Sequence, residues 1–128
     1  MNRTLRGELP RPSYPPPLRR SAPAQWWDRA DALFSYARSG HAARGRVAQA
    51  VGMSVEAATC AAHAVAAARG VWVTNEKTLL ERTGLRGVLD GYVRHVGEDA
   101  VAFVDAVARH CEDAVAAARA DVSDPSPR

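Results

Sequence analysis

The residues best equipped for chemistry are concentrated in one stretch, Gly70-Val71-Trp72-Val73-Thr74-Asn75-Glu76-Lys77-Thr78-Leu79-Leu80-Glu81-Arg82-Thr83-Gly84-Leu85. Between Trp72 and Lys77 it offers an indole for stacking, an amide, a carboxylate and an ammonium. Lys77 is the only lysine in the chain and Asn75 one of two asparagines. The rest is dominated by Ala, Val and Arg, a usage that suggests a GC-rich genome. A single lysine against that background marks a position where a compact ammonium is wanted rather than a guanidinium fork. A purely local reading also exists: Asn75 caps a helix, Glu76 sits in its first turn and Lys77 is solvated. That reading leaves Trp72 and Lys77 free to meet a ligand. Upstream, His63 reaches the same neighbourhood if the chain reverses at Gly70. A histidine among alanines is either a satisfied boundary residue or a ligand contact.

Other catalytic patterns are missing. No Gly-rich phosphate loop, Gly-x-Ser-x-Gly elbow or His-Glu-x-x-His pair occurs, and no Asp-x-Asp that would hold Mg²⁺. Cys60-x-x-His63, together with His110 and Cys111, supplies four soft atoms for a Zn²⁺ site. His110 and Cys111 are adjacent on a predicted helix and point apart, so Cys60 reads better as a small apolar filler. No metal and no cofactor is expected.

A chain of 128 residues forms one domain. Its apolar content of 47% contains no Ile and only two Phe, which favours closely packed helices built on Ala. No continuous apolar run approaches the roughly 20 residues of a membrane span, and no apolar signal region follows the N-terminus. Cys60 and Cys111 are therefore expected as reduced thiols in a cytoplasmic protein. The formal charge is +3, but residues 1–20 carry five Arg and one Glu while the remainder has a net charge of −1. The basicity belongs to a tail, so the body lacks the basic face of a nucleic-acid binder.

The chain divides into a Pro/Arg-rich extension (1–21), a helical bundle (22–122) and a frayed tail (123–128). Pro15-Pro16-Pro17 predicts extended backbone, with a first helix from about Pro23 capped by Ser21. Trp26, Ala30, Leu33, Phe34, Ala37 and His41 form its inner stripe. Trp26, Trp27, Phe34 and Tyr36 are expected at the core or its edge. Gly40 should bend this helix and Gly45 end it. A second helix spans about Arg46 to Arg69, with Val47, Val51, Ala58, Ala62 and Val65 inward and a restart near Gly52 and Ser54. Gly70 caps it. Asn75 opens a short helix closing at Gly84, another runs from Gly87 to His95, and the last starts near Glu98-Asp99. Its seam of Val101, Val104, Ala108, Cys111, Val115, Ala118 and Val122 must lie against a partner helix. The expected fold is all-α, a bundle of three long helices plus one or two short ones.

Tyr14-Pro15-Pro16-x-Leu18-Arg19, Phe34-Ser35, Ala43-Arg44-Gly45, His63 and Trp72-x-x-Asn75-Glu76-Lys77 together resemble the C-terminal helical region of bacterial nucleotidyltransferases, the minimal and aminoglycoside group. The resemblance covers roughly Tyr14 to Leu85, and the Trp-x-x-Asn-Glu-Lys step is its most specific part. It implies a bundle forming the acceptor-substrate side of a cleft, with Mg²⁺ and nucleotide held by a separate α/β domain whose Asp-x-Asp this sequence lacks. His63, Trp72, Asn75, Glu76 and Lys77 would then contact a small polar substrate. The bundle would be non-catalytic alone and would complement a separate nucleotidyltransferase catalytic domain. Related HEPN-type bundles act as RNases through an Arg and a His five to seven residues later, a pair absent here. The contrasting expectation is an antitoxin-like interaction module that homodimerises or pairs with another protein through the seam of the last helix.

Overall fold

The computed structural model describes residues 12–123 apart from residue 98. The beginning of the extension, Glu98 and the tail from Asp124 lie outside the described residues. The chain is an all-α bundle: α1 (Pro16–Tyr36), α2 (Val47–Ala68), α3 (Leu79–Arg82), α4 (Arg86–Arg94) and α5 (Ala100–Ser123). No strand occurs among the described residues. α2 is the central element, packed against α1 on one side and α5 on the other. The short helices α3 and α4 close the end where the chain passes from α2 to α5.

Three boundaries differ from the sequence reading. α1 begins at Pro16, not Pro23, and Ser21 lies within it rather than capping it. Pro15 is the N-cap, with φ −61° and ψ 129°, and Pro16 and Pro17 occupy the first helical positions. There the missing N–H groups have no intrahelical acceptor to lose, and the fixed φ is already helical. Of the described extension only residues 12–15 precede the helix, with Pro15 extended. Pro23 is carried inside the helix and fully buried. At its far end α1 passes into a π turn over Ala37–His41 and a 3₁₀ turn over Ala42–Arg44, ending at Gly45 with φ 74°. The break at Gly40 is therefore a change of helical pitch. Finally, α2 runs without interruption through Gly52.

The interior is built on alanine. Ala30, Ala37, Ala50, Ala57, Ala61, Ala62 and Ala64 are completely buried, so the axes of α1, α2 and α5 come close together. Val65, Val104, Phe34 and Phe103 fill what remains. The α5 seam faces inward as expected: Val104, Cys111, Val115 and Ala118 are buried, with Val101, Ala108 and Val122 half-buried beside them. Val47 and Tyr36 do not join the core. Val47 sits exposed in the first turn of α2, and Tyr36 is 57% exposed with its ring edge-on to His41 at 5.1 Å. By length and composition α2 would suffice to cross a membrane, closer than the sequence reading allowed. However, 61% of its apolar window is buried within the bundle, the setting of a core helix.

Ser54, expected to restart a helix, is instead completely buried in mid-α2, and its hydroxyl has no hydrogen-bond partner. An unsatisfied buried hydroxyl costs about 1–3 kcal/mol. Ser54→Ala removes that cost for a loss of one atom's packing, so chemical denaturation should show the variant as stable as the parent or more so.

Candidate functional site

The turn after α2 determines where the chemically equipped residues come together. Gly70, at φ 68°, donates its N–H to the Ala67 carbonyl at 3.0 Å, and Val71 N–H reaches the Ala66 carbonyl at 2.9 Å. This paired closure requires the left-handed conformation that glycine adopts without strain. A methyl at Gly70 would also press on the Arg19 side chain at 3.3 Å. Arg19 occupies that place because its Nε donates to the Ala68 carbonyl at 2.8 Å, satisfying one of the open carbonyls of α2. The chain then reverses through Val71–Asn75 and lays Glu76 back alongside α2.

There His63 Nε2 lies 2.9 Å from Glu76 Oε1. An ionised carboxylate has only lone pairs, so the imidazole N–H donates. The other constraint on the ring is Trp26 of α1, stacked on it at 4.2 Å and 12° between planes. Backbone turn, carboxylate and indole together fix this histidine, whose side chain is only 13% exposed.

Around the pair runs an open groove of about 260 Å³ lined by Trp26, Arg29, Glu56, Thr59, Cys60, His63 and Glu76. The Cys60 thiol lies at its buried edge. Burial pushes its pKa up; Arg29 pulls it down, while Glu56 and Glu76 push it further up. One cation and two anions thus act on the same point. The net upward shift keeps Cys60 a thiol at neutral pH and argues against a nucleophile. Neither Arg29 nor Glu56 has a hydrogen-bonded or ion-paired partner among the described residues. Thr59 spends its hydroxyl proton on the Val55 carbonyl at 2.9 Å and offers the groove an acceptor oxygen.

The structure does not bring the five expected residues into one site. His63 and Glu76 meet in the groove. Trp72 and Asn75 line a second hollow of about 80 Å³ with Arg69, Leu79 and Arg82. Trp72 is 39% exposed there, but its indole N–H donates to the Pro12 carbonyl at 2.8 Å and its ring packs on Tyr14 at 4.6 Å. It anchors the extension. Asn75 is a cap: its Oδ1 accepts from the Lys77 N–H at 3.0 Å. The Lys77 side chain is exposed, in neither hollow and without a partner among the described residues.

Trp26, Arg29, Glu56, Thr59 and Cys60 were not singled out as site residues. Part of the signal was present. Glu56, Thr59, Cys60 and His63 recur at three- and four-residue steps, a polar stripe on a helix otherwise rich in Ala and Val. That Trp26 and Arg29 of α1 face this stripe follows only from the tertiary packing. The four soft ligands are likewise separated: Cys60 and His63 belong to the groove, His110 and Cys111 to a small hollow with Leu89 and Tyr92. Comparison of the chain with family models, with curated proteins and with solved structures returns no match.

Proposed function

We propose that this chain is a substrate-binding helical domain of the nucleotidyltransferase type, and that the groove between α1, α2 and Glu76 is where its small polar ligand sits. The observation that carries the reading is the fixed His63–Glu76–Trp26 unit beside two opposite charges, Arg29 and Glu56, that have no ion-pair partner among the described residues. Such a groove offers an aromatic edge, hydrogen-bonding groups and charges of both signs, which is how small polar ligands are oriented. Among the described residues no three side chains gather that could hold a metal ion, so on this reading nucleotidyl transfer needs a separate catalytic domain docked over the groove. The nucleotidyltransferase part of the proposal rests on the Trp72-x-x-Asn75-Glu76-Lys77 resemblance alone. The interaction-module reading loses its main support, because the α5 seam it relied on is spent inside the bundle.

Trp26 stacks on His63, so its fluorescence should report occupancy. Titration with nucleotides and with polar acceptors should give saturable quenching that His63→Ala removes and Glu76→Gln weakens about tenfold, as expected for losing a charge-assisted hydrogen bond. Lys77→Ala should leave the curve unchanged. Quenching that depends on Lys77 and not on His63 would assign the ligand to the wrong end of the turn.

A further inference from the structure

The charges in the groove narrow the ligand class, granted that the groove is the binding site. We infer that it takes a small zwitterion, a molecule joining one primary ammonium to one carboxylate or phosphate. The argument starts from size. At about 260 Å³ the groove falls below the roughly 300–1,000 Å³ of pockets that enclose drug-sized ligands. An open groove of this size matches a molecule of amino-acid size better than a multi-ring amino sugar.

Charge supplies the second step. Arg29 comes from α1 and Glu56 from α2, and both line the groove beside the Trp26–His63 stack. Both line the same groove as the Cys60 thiol and act on it with opposite sign. Neither is neutralised by the other within ion-pair distance or by any other described residue. An exposed ion pair is worth little, so the two side chains gain little by closing on each other. Here they stand apart, and a ligand with both signs completes the pair from each end. The planar guanidinium of Arg29 suits a carboxylate or a phosphate bidentately. The ammonium goes to Glu56, with the Thr59 oxygen and the remaining oxygen of Glu76 as further acceptors. Glu76 already shares its charge with His63, so Glu56 carries the discrimination.

Calorimetric titration of the full chain with four probes tests this: L-serine, phosphoethanolamine, ethanolamine and acetate. The first two should bind, and whichever is tighter identifies the anion as carboxylate or phosphate. Arg29→Gln and Glu56→Gln should each weaken the zwitterion by about tenfold or more, the scale of one charged hydrogen bond. Both residues are exposed, so neither variant endangers folding. Ethanolamine should respond only to Glu56→Gln and acetate only to Arg29→Gln. If ethanolamine or acetate alone binds as tightly as the zwitterions, the groove is a binding site but the zwitterion inference is wrong. If a zwitterion binds equally to parent and both variants, the charges do not read it and the inference also falls. If the zwitterions fail while another polar ligand quenches Trp26, the inference fails and the proposed function stands; if nothing binds by either method, both fail.

Discussion

Phe34→Ala should bring this domain close to unfolding, at a cost of about 3–5 kcal/mol. Against a total stability of about 5–15 kcal/mol for a domain of this kind, that is a large share. Phe34 is 4% exposed on α1 and packs beside Trp27, with ring centroids 6.5 Å apart. The upper end of the range is expected because the neighbouring core is mostly alanine. An alanine has no rotamer with which to fill a cavity, and the helices are already in close approach, so the space left by the ring stays open. Urea denaturation of parent and variant measures the difference. A loss under about 1 kcal/mol would show that the core relaxes in a way this packing does not permit.

The second large effect is alkaline. Cys111 lies in the buried α5 seam, 3% exposed, and burial pushes its pKa from 9.0 up to about 12. The folded state holds the neutral thiol while the unfolded chain ionises it, so between these values the unfolded state binds fewer protons. Stability must then fall as pH rises. The contribution is complete below pH 9 and is lost progressively toward pH 12, to a limit of about 4 kcal/mol. In Cys111→Ala the thiol is gone and only a modest packing loss remains. The stability gap between parent and variant should narrow above pH 9 and close or reverse by pH 11. Thermal unfolding across that range measures it; the other alkaline groups, Cys60 and Tyr14, are common to both proteins and cancel. Parallel curves would mean that the Cys111 thiol is reached by solvent.

These expectations rest on elements of unequal legibility. The ends of α2 and the inward seam of α5 were readable because each depends on local rules: glycine at a left-handed cap and apolar residues at helical spacing. The Asn75 cap was readable for the same reason. The start of α1 was not, because a proline run reads as extended until one sees that Pro16 and Pro17 occupy the first helical turn. Ser54 looked like a helix start because serine prefers caps; packing of α2 between two helices overrode that preference. The candidate site divided along the same line. His63 and Glu76 meet because the Gly70 closure is local. Trp72 was recognised as special, but what claims it is the Pro12 carbonyl and Tyr14, far away in sequence. The solitary lysine was a compositional signal, and composition carries no direction: Lys77 is exposed and is not among the residues lining the groove with its neighbour Glu76.

The measurement that tests the groove most directly is the fluorescence titration repeated with Trp26 as the sole reporter. Trp27→Phe and Trp72→Phe remove the other two indoles, neither of which lines the groove. Saturable quenching of Trp26 at the same concentrations as in the parent is the expected result, together with its loss in His63→Ala. A ligand that quenches the parent but leaves this Trp26-only protein silent would place binding at one of the other two indoles, and the groove would not be the site.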